Sequence, residues 1–190
     1  DFKLMFVVGK KKSGDYSDDF IKEMSIYDDI HLIDVTESRW ILKDKVLFGM
    51  KKSVELFDYK YFIKIDHDTL VDLPNLAKGI QTLPDENVYT GACTFRIAKG
   101  EYKNLFNYCG GGGYILSRDL IEKITALPEE EINISLNPED GYTGWLVAEV
   151  KRKFNISKTL PEKNRNILNR MRYEAKTGKY HFNRWFYHWL

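Results

Sequence analysis

The sequence predicts an α/β fold whose central sheet is mostly parallel and is flanked by helices on both faces. Short apolar runs alternate with stretches of helical periodicity along the chain, which is typical of strands joined by helical crossovers. The apolar runs are continuous, as expected for strands that are covered on both faces. With 190 residues, 43% of them hydrophobic and 30% charged, the chain has the size and composition of one globular domain.

Six segments are predicted as strands because each is short, apolar and bounded by glycine or polar residues. The first of them, residues 4–8, ends directly before Gly9. In chain order the predicted strands cover residues 4–8, 30–35, 61–65, 88–92, 113–116 and 185–190.

Five segments are predicted as helices. In the second, Val46, Met50 and Val54 recur at helical spacing. Pro74 suits the first turn of the third, and the hydroxyl of Ser117 can cap the fourth. The predicted helices cover residues 17–27, 41–57, 74–82, 118–126 and 141–154.

Two acidic residues directly follow the third predicted strand. Asp66 and Asp68 are two positions apart, and on an extended backbone such side chains face the same way. They can therefore converge on one hard cation such as Mg²⁺ or Mn²⁺, which carboxylate oxygens suit. The alternative is a turn in which Asp is favoured as a turn former and helix cap.

The carboxyl ends of the strands are the expected place for a ligand in an open α/β sheet. Gly9 and the acidic residues at 66–68 both follow such ends, so we expect them to lie near each other. Lys10 and the two lysines after it could neutralise a diphosphate, with a solvated loop as the alternative.

A run of four glycines precedes the fifth predicted strand. Residues 110–113, which include Gly111 and Gly112, let the backbone approach a ligand closely. The run is not a P-loop, because no Gly-Lys-Ser/Thr follows, and it does not open a helix as a dinucleotide-binding motif does. A flexible loop that enters a strand is the alternative.

Two further groups of residues have side chains that could transfer protons or bind a metal ion. Glu139 and Asp140 precede the fifth predicted helix, where acids either stabilise its positive end or serve as a general base for a nearby hydroxyl. His181 and His188 lie near the end of the sequence. A neutral imidazole is a good ligand for Mn²⁺, but a histidine among aromatic residues is more often a packed core residue.

The net charge, the length of the apolar segments and the cysteine content exclude some classes of protein. The 29 basic and 28 acidic residues give a net charge of +1, so the chain has no broad electrostatic field for nucleic acid or an anionic membrane. No segment reaches the length of about 20 apolar residues that a membrane span needs. The two cysteines, Cys93 and Cys109, are expected to be buried thiols, with pairing as the alternative.

Five segments follow one another in a recognisable order. They are Phe6-Val7-Val8-Gly9, Ile33-Asp34 with Leu42 and Lys45, Lys64-x-Asp66-x-Asp68, Tyr108-Cys109-x-Gly111-x-Gly113-Tyr114-Ile115-Leu116-Ser117, and Glu139-Asp140-x-x-x-Gly144. This series resembles the β-1,3-galactosyltransferase and Fringe-related glycosyltransferases, in a compact version similar in scale to enzymes of microbes or large viruses. The fourth and fifth segments are its most specific parts.

The resemblance implies a GT-A fold in a single catalytic domain over residues 1–190, with a nucleotide-sugar half at about 1–72 and an acceptor half at about 73–190. It implies a UDP-sugar donor, Mn²⁺ or alternatively Mg²⁺, and inverting transfer of a hexose or deoxyhexose. The acceptor would be a hydroxyl of a glycan or glycoprotein. The implied compartment is the Golgi lumen for a fragment of an anchored eukaryotic enzyme, and the cytoplasm for a soluble microbial or viral one.

The same resemblance implies roles for individual residues. Asp66, Asp68 and His188 would hold the cation, with His181 as the alternative imidazole. Asp140 matches the catalytic base and Glu139 its neighbour. His67 departs from the family, which usually has a third acid at that position. The residues matched to donor binding are Phe6, Val7, Val8, Gly9, Lys10, Lys45, Asp66, His67, Gly111 and Gly112.

Two other interpretations remain open at this point. A metal-dependent nucleotidyltransferase also needs paired carboxylates. A module that binds a nucleotide or sugar without catalysis is the other alternative, because His67 stands where the family has an acid.

Overall fold

The computed structural model describes residues 1–67, 69–91, 95–96, 107–110, 112–156 and 186–188. These residues form an α/β fold, which confirms the predicted class. Within them, no helix combines the length and the apolar character that crossing a bilayer requires.

All six predicted strands are present, with ends that shift by at most two residues. Three additional strands, β4, β6 and β7, are too short to leave a pattern in the sequence. The strands are β1 (Phe6–Lys10), β2 (Ile30–Thr36), β3 (Tyr61–Ile65), β4 (Thr69–Val71), β5 (Tyr89–Gly91), β6 (Phe95–Arg96), β7 (Asn107–Tyr108), β8 (Gly113–Ser117) and β9 (Phe186–His188).

The part of the chain that the structure describes also contains the five predicted helices and one short α-helix that was not predicted. The fifth predicted helix begins at Glu139, two residues earlier than predicted, so both acids of the Glu139-Asp140 pair lie in its first turn. A 3₁₀ helix at Arg39–Ile41 leads into the second helix. The α-helices are α1 (Asp18–Ile26), α2 (Leu42–Leu56), α3 (Leu73–Ile80), α4 (Arg118–Thr125), α5 (Glu129–Ile132) and α6 (Glu139–Lys153).

The expectation of a mostly parallel sheet is only partly right. Strands β1 and β2 pair in parallel, but β8 lies between β3 and β5 and runs antiparallel to both. The pairs β4–β9 and β6–β7 are antiparallel as well. All residues of β8 are buried. A continuous apolar run reports burial on both faces and does not specify the direction of the strand, which is why the sequence did not reveal this arrangement.

Helices cover both faces of the β3–β8 pair, as predicted. Because side chains alternate along a strand, Tyr114 and Leu116 of β8 face one apolar cluster while Ile115 faces another. The first cluster is filled from α2, α4 and α6, and Leu76 of α3 packs in the second. The strand that carries residues 61–65 is thus held between two layers of helix, which fixes where its carboxyl end emerges.

Two serines stand at the N-termini of helices. Ser17 caps α1 by accepting the Phe20 backbone N–H at 3.4 Å, which was not predicted. The sequence predicted such a role for Ser117 in α4. Ser117 occupies the cap position of α4 but makes no side-chain cap bond, so that prediction is wrong. Its hydroxyl instead donates to Asp119 Oδ1 at 2.5 Å and accepts the Val88 N–H at 2.9 Å, because β5 approaches it closely.

Cys109 is buried and disulfide-bonded, which contradicts the expectation of a free thiol. Composition alone cannot show whether two cysteines lie close enough to pair. The other cysteine of the sequence, Cys93, lies outside the described residues.

Candidate active site

A buried lysine organises the carboxyl end of β3. The side chain of Lys64 is 8% exposed, and its Nζ donates to Asp66 Oδ1 at 2.5 Å and lies 3.1 Å from Glu139 Oε2. Burial alone would lower the Lys64 pKa, but the Glu139 and Asp66 carboxylates outweigh it and hold the pKa above its ordinary value. Lys64 is therefore a charged bridge between the strand end and the start of α6.

Glu139 is enclosed by this network. It is 4% exposed, and its Oε1 accepts hydrogen bonds from the Tyr114 hydroxyl at 2.6 Å and from Thr143 Oγ1 at 2.9 Å. Tyr114 is paired with Lys64 across β8 and β3, and the Lys64 Nζ lies 5.5 Å from the Tyr114 ring centroid. Burial and then the Glu139 charge raise the Tyr114 pKa well above its usual range. With both oxygens engaged, Glu139 can position its neighbours but is poorly placed to accept a substrate proton.

Asp140 is the more available of the two acids. It is half-buried, and its Oδ1 accepts the N–H of Gly141 at 2.9 Å. Burial, followed by the charge of Glu139, raises the pKa of Asp140, while Lys64 acts in the opposite direction. A raised pKa makes a carboxylate a stronger base, which suits removal of a proton from a hydroxyl.

Asp66 and Asp140 line the same cavity, although they are distant in the sequence. Its volume is about 490 Å³, within the range of about 300–1,000 Å³ that is typical of small-molecule sites. The full lining is Arg39, Trp40, Leu42, Asp66, Asn137, Pro138, Glu139 and Asp140. The sequence predicted the acids of this set and missed Arg39 and Trp40, which carry no recognisable motif.

A second cluster forms at the end of β1. Glu37 Oε1 accepts the backbone N–H of Gly9 and the Nζ of Lys45, each at 2.7 Å. Burial raises the Glu37 pKa, but these two hydrogen bonds outweigh it and leave the pKa lowered. A Cβ at Gly9 would lie 2.8 Å from the Val35 carbonyl oxygen, so only glycine fits. Glu37 was missed in the sequence because nothing there shows that it folds back onto Gly9.

None of the β1 residues matched to donor binding lines the cavity. Phe6 is exposed, and Val7 and Val8 are half-buried. Lys10 makes an ion pair with Asp34 at 2.5 Å, and both side chains are exposed to solvent. The structure thus brings Asp66, Glu139 and Asp140 together at one cavity, and neither the β1 residues nor Lys45 line it.

The remaining predicted site residues lie outside the part of the chain that the structure describes, or directly next to its ends. His67 is exposed in the turn after β3, and Gly112 is half-buried in the turn before β8. Asp68, Gly111 and His181 lie outside the described residues.

His188 lies on β9, where its backbone pairs with Thr69 of β4. This register places the backbone of His188 beside Thr69, which follows Asp66 by three residues. Among residues whose side chains are described, no group of three or more potential metal ligands is present.

Comparison with known proteins identifies the family. A family model described as galactosyltransferase matches residues 1–159. Probable β-1,3-galactosyltransferase 13 of Arabidopsis thaliana is 23% identical over 159 residues, which are 76% of this chain and 46% of that protein. Probable β-1,3-galactosyltransferase 12 of the same plant is 24% identical over 160 residues, 75% of this chain and 42% of that protein.

The chain spans less than half the length of these two relatives. The family model, however, covers most of its residues, from the first strand to beyond α6. The chain therefore belongs to the galactosyltransferase family.

Proposed function

We propose that the chain is a metal-dependent inverting glycosyltransferase that moves a hexose or deoxyhexose from a UDP-sugar to a hydroxyl of a glycan or glycoprotein acceptor. The observation that best supports this is the shared cavity of Asp66 and Asp140. It sets a carboxylate of the predicted metal motif beside a carboxylate with a raised pKa. Membership of the galactosyltransferase family supports the class of reaction.

In this proposal Asp140 is the general base. It would accept the proton of the acceptor hydroxyl while that oxygen forms a bond to the anomeric carbon of the donor. The bond from the anomeric carbon to the diphosphate breaks at the same time, and its electron pair leaves with UDP. Attack from the face opposite the leaving group inverts the configuration. General-base assistance of this kind contributes about 10²–10⁴-fold in rate.

Glu139 and Lys64 act as positioning residues in the same scheme. Lys64 ties the carboxylate of Asp66 to that of Glu139, so the turn after β3 and the first turn of α6 are held together. The reacting groups that these two turns carry must be placed within a few tenths of an ångström, and a buried ion network restricts their movement.

The residue types at this edge fit a divalent cation. Asp66 lines the cavity, and its Oδ2 accepts no hydrogen bond from the described residues. Asp66 and Asp68, with His188 from the adjacent strand β9, would hold Mn²⁺ or Mg²⁺, since carboxylate and imidazole are suitable ligands. When bound, the cation would act as a Lewis acid that offsets charge on the departing diphosphate.

The donor nucleoside would lie at the end of β1. Gly9 allows close approach there, and Glu37 and Lys45 fix the local backbone. Phe6, Val7, Val8, Lys10, His67, Gly111 and Gly112 stay predictions for contacts with the donor.

A product assay tests this function. Purified chain is incubated with UDP-galactose, UDP-glucose or UDP-N-acetylglucosamine, with Mn²⁺ or with EDTA, and UDP and sugar products are measured. We expect release of UDP from at least one donor in Mn²⁺ and its loss in EDTA. Pyrophosphate release from a nucleoside triphosphate would indicate a nucleotidyltransferase instead. Nucleotide binding without turnover would indicate the non-catalytic module.

A further inference from the structure

Trp40 is exposed at the edge of the candidate active site. It lies in the 3₁₀ helix at Arg39–Ile41, and 69% of its surface is accessible to solvent. Single exposed apolar residues are common on protein surfaces and need no explanation. Trp40 differs from Tyr27, which is 57% exposed elsewhere, because Trp40 lines the cavity that holds Asp66 and Asp140.

The neighbours of Trp40 give this cavity a mixed apolar and polar character. Leu42 adds a second partly exposed apolar side chain, and Arg39 adds a guanidinium that has no ion-pair partner among the described residues. Asn137 and Asp140 contribute an amide and a carboxylate. An aromatic ring combined with several hydrogen-bonding groups matches a pyranose, which has an apolar C–H face and a rim of hydroxyls.

We propose that Trp40 is the platform on which a pyranose ring of the acceptor stacks, with one of its hydroxyls directed to Asp140. This inference rests on the proposed function and names the acceptor class for the same site. The electron-rich face of the indole would contact the C–H face of the sugar, and Arg39 would donate hydrogen bonds to hydroxyls at its rim.

The acceptor sugar fits this place better than the donor nucleoside does. None of the β1 residues matched to nucleoside binding lines the cavity, and neither does Lys45. The N–H of Gly9 is occupied by Glu37. Asp140, by contrast, has to reach the acceptor hydroxyl if it is the base, and it shares the cavity with Trp40.

The test compares four proteins: wild type, Trp40→Ala, Trp40→Phe and Tyr27→Ala. The acceptor probes are the methyl β-glycosides of galactose, glucose and N-acetylglucosamine, and a serine-containing peptide serves as a hydroxyl acceptor without a pyranose. The donor is the UDP-sugar that the wild type turns over in Mn²⁺. Melting temperatures check that each variant is folded, which we expect since both aromatic side chains are exposed.

We expect Trp40→Ala to raise the KM for the methyl glycoside about tenfold and to leave the KM for the UDP-sugar near the wild-type value. Trp40→Phe should recover most of the affinity because it keeps an aromatic face, and Tyr27→Ala should behave as wild type. A rise confined to the KM of the UDP-sugar would overturn the inference and indicate a nucleotide platform. An equal rise in the KM for the peptide acceptor would also overturn the inference. The same holds if the wild type turns over the UDP-sugar but uses none of the glycosides as an acceptor. No turnover of any UDP-sugar by the wild type would refute the proposed function itself, and this inference with it.

Discussion

Lys64 and Glu139 form a buried ion pair, with Nζ and Oε2 3.1 Å apart and both side chains less than 10% exposed. The pair joins β3 to the first turn of α6. Charges that are withdrawn from water need close partners, and each of these has one. The pair therefore couples the two segments that carry Asp66 and Asp140.

Replacing the lysine should destabilise the protein strongly. Lys64→Met leaves the buried carboxylate of Glu139 without its cation, and we expect the free energy of unfolding to fall by about 3–5 kcal/mol. Urea denaturation followed by circular dichroism measures the change. Lys60→Met is the matched control, because Lys60 pairs with Asp85 at a site where both side chains are more than 70% exposed. An equal effect of the two substitutions would contradict the structural role of Lys64.

Asp140→Asn should separate catalysis from nucleotide binding. The amide keeps the shape of the side chain but cannot accept the acceptor proton, so we expect kcat to fall by about 10²–10⁴-fold. UDP affinity, measured by calorimetry in Mn²⁺, should stay near the wild-type value. Glu130→Gln, at an exposed site outside the cavity, is the control. Transfer at the wild-type rate by Asp140→Asn would exclude Asp140 as the base.

The pH dependence of transfer should reflect the raised pKa of Asp140. A base with a raised pKa becomes protonated at a higher pH than an ordinary aspartate, whose pKa is about 3.9. We therefore expect kcat/KM to decline on the acid side through a pKa above that value. The measurement is kcat/KM as a function of pH at saturating Mn²⁺. An acid limb at or below the ordinary aspartate value would show that another group limits the reaction.

Asp119 should stabilise the fold in a pH-dependent way. It accepts hydrogen bonds from the Asn87 N–H at 3.0 Å, Ser117 Oγ at 2.5 Å and Lys123 Nζ at 2.7 Å. Burial raises its pKa, but Lys123 and Ser117 outweigh this, so the folded-state pKa is lowered. The stabilisation is complete above the unfolded pKa of about 3.9 and is lost as the pH falls through the lower folded pKa.

Asp119→Ala tests this relation. At pH 7 we expect a loss of about 1–3 kcal/mol in the free energy of unfolding, because the N–H of Asn87 loses its acceptor. The difference from wild type should shrink as the pH is lowered below 4. Asp58→Ala, at a fully exposed site, should not show this convergence. A constant difference at every pH would mean that the charge of Asp119 is unimportant.

Two glycines should respond in opposite ways to a methyl group. Gly9→Ala places a Cβ 2.8 Å from the Val35 carbonyl oxygen, so we expect a loss of about 1–3 kcal/mol in stability and weaker UDP binding. Gly49→Ala places a Cβ 3.4 Å from Val7 Cγ2, an ordinary contact inside α2, where alanine is favoured by up to about 1 kcal/mol. Thermal and urea denaturation compare the two variants. Equal destabilisation would contradict the specific requirement at Gly9.

Local patterns in the sequence predicted much of the fold. Helical spacing located α2 through Val46 and Met50, and continuous apolar runs located β3 and β8. Strand direction was not predictable, because burial on both faces looks the same in parallel and antiparallel strands. The three acids that line the cavity, Asp66, Glu139 and Asp140, were predicted as candidate site residues, since they lie next to elements that the pattern had placed.

Long-range contacts account for what the sequence did not reveal. The attachment of Glu37 to Gly9 and of Lys64 to Glu139 depends on how separate segments meet in space, and one sequence contains no signal for such pairs. Lys64 lies within an apolar strand, where a charged residue is rarely buried without a partner. The position of Lys64 therefore indicates that it has an acidic partner but does not identify that residue. The disulfide of Cys109 is undetectable from composition for the same reason.

The register of β3 against β8 sets Lys64 opposite Tyr114, whose hydroxyl donates to Glu139. A slip of one residue would turn Tyr114 toward the opposite helical layer and present Gly113 or Ile115 to the ammonium group. Such a misaligned strand would remove the Tyr114 hydroxyl from Glu139, which is buried. The ionic network therefore favours the native register of the sheet, and the same interactions that align the reactive groups disfavour misaligned strands.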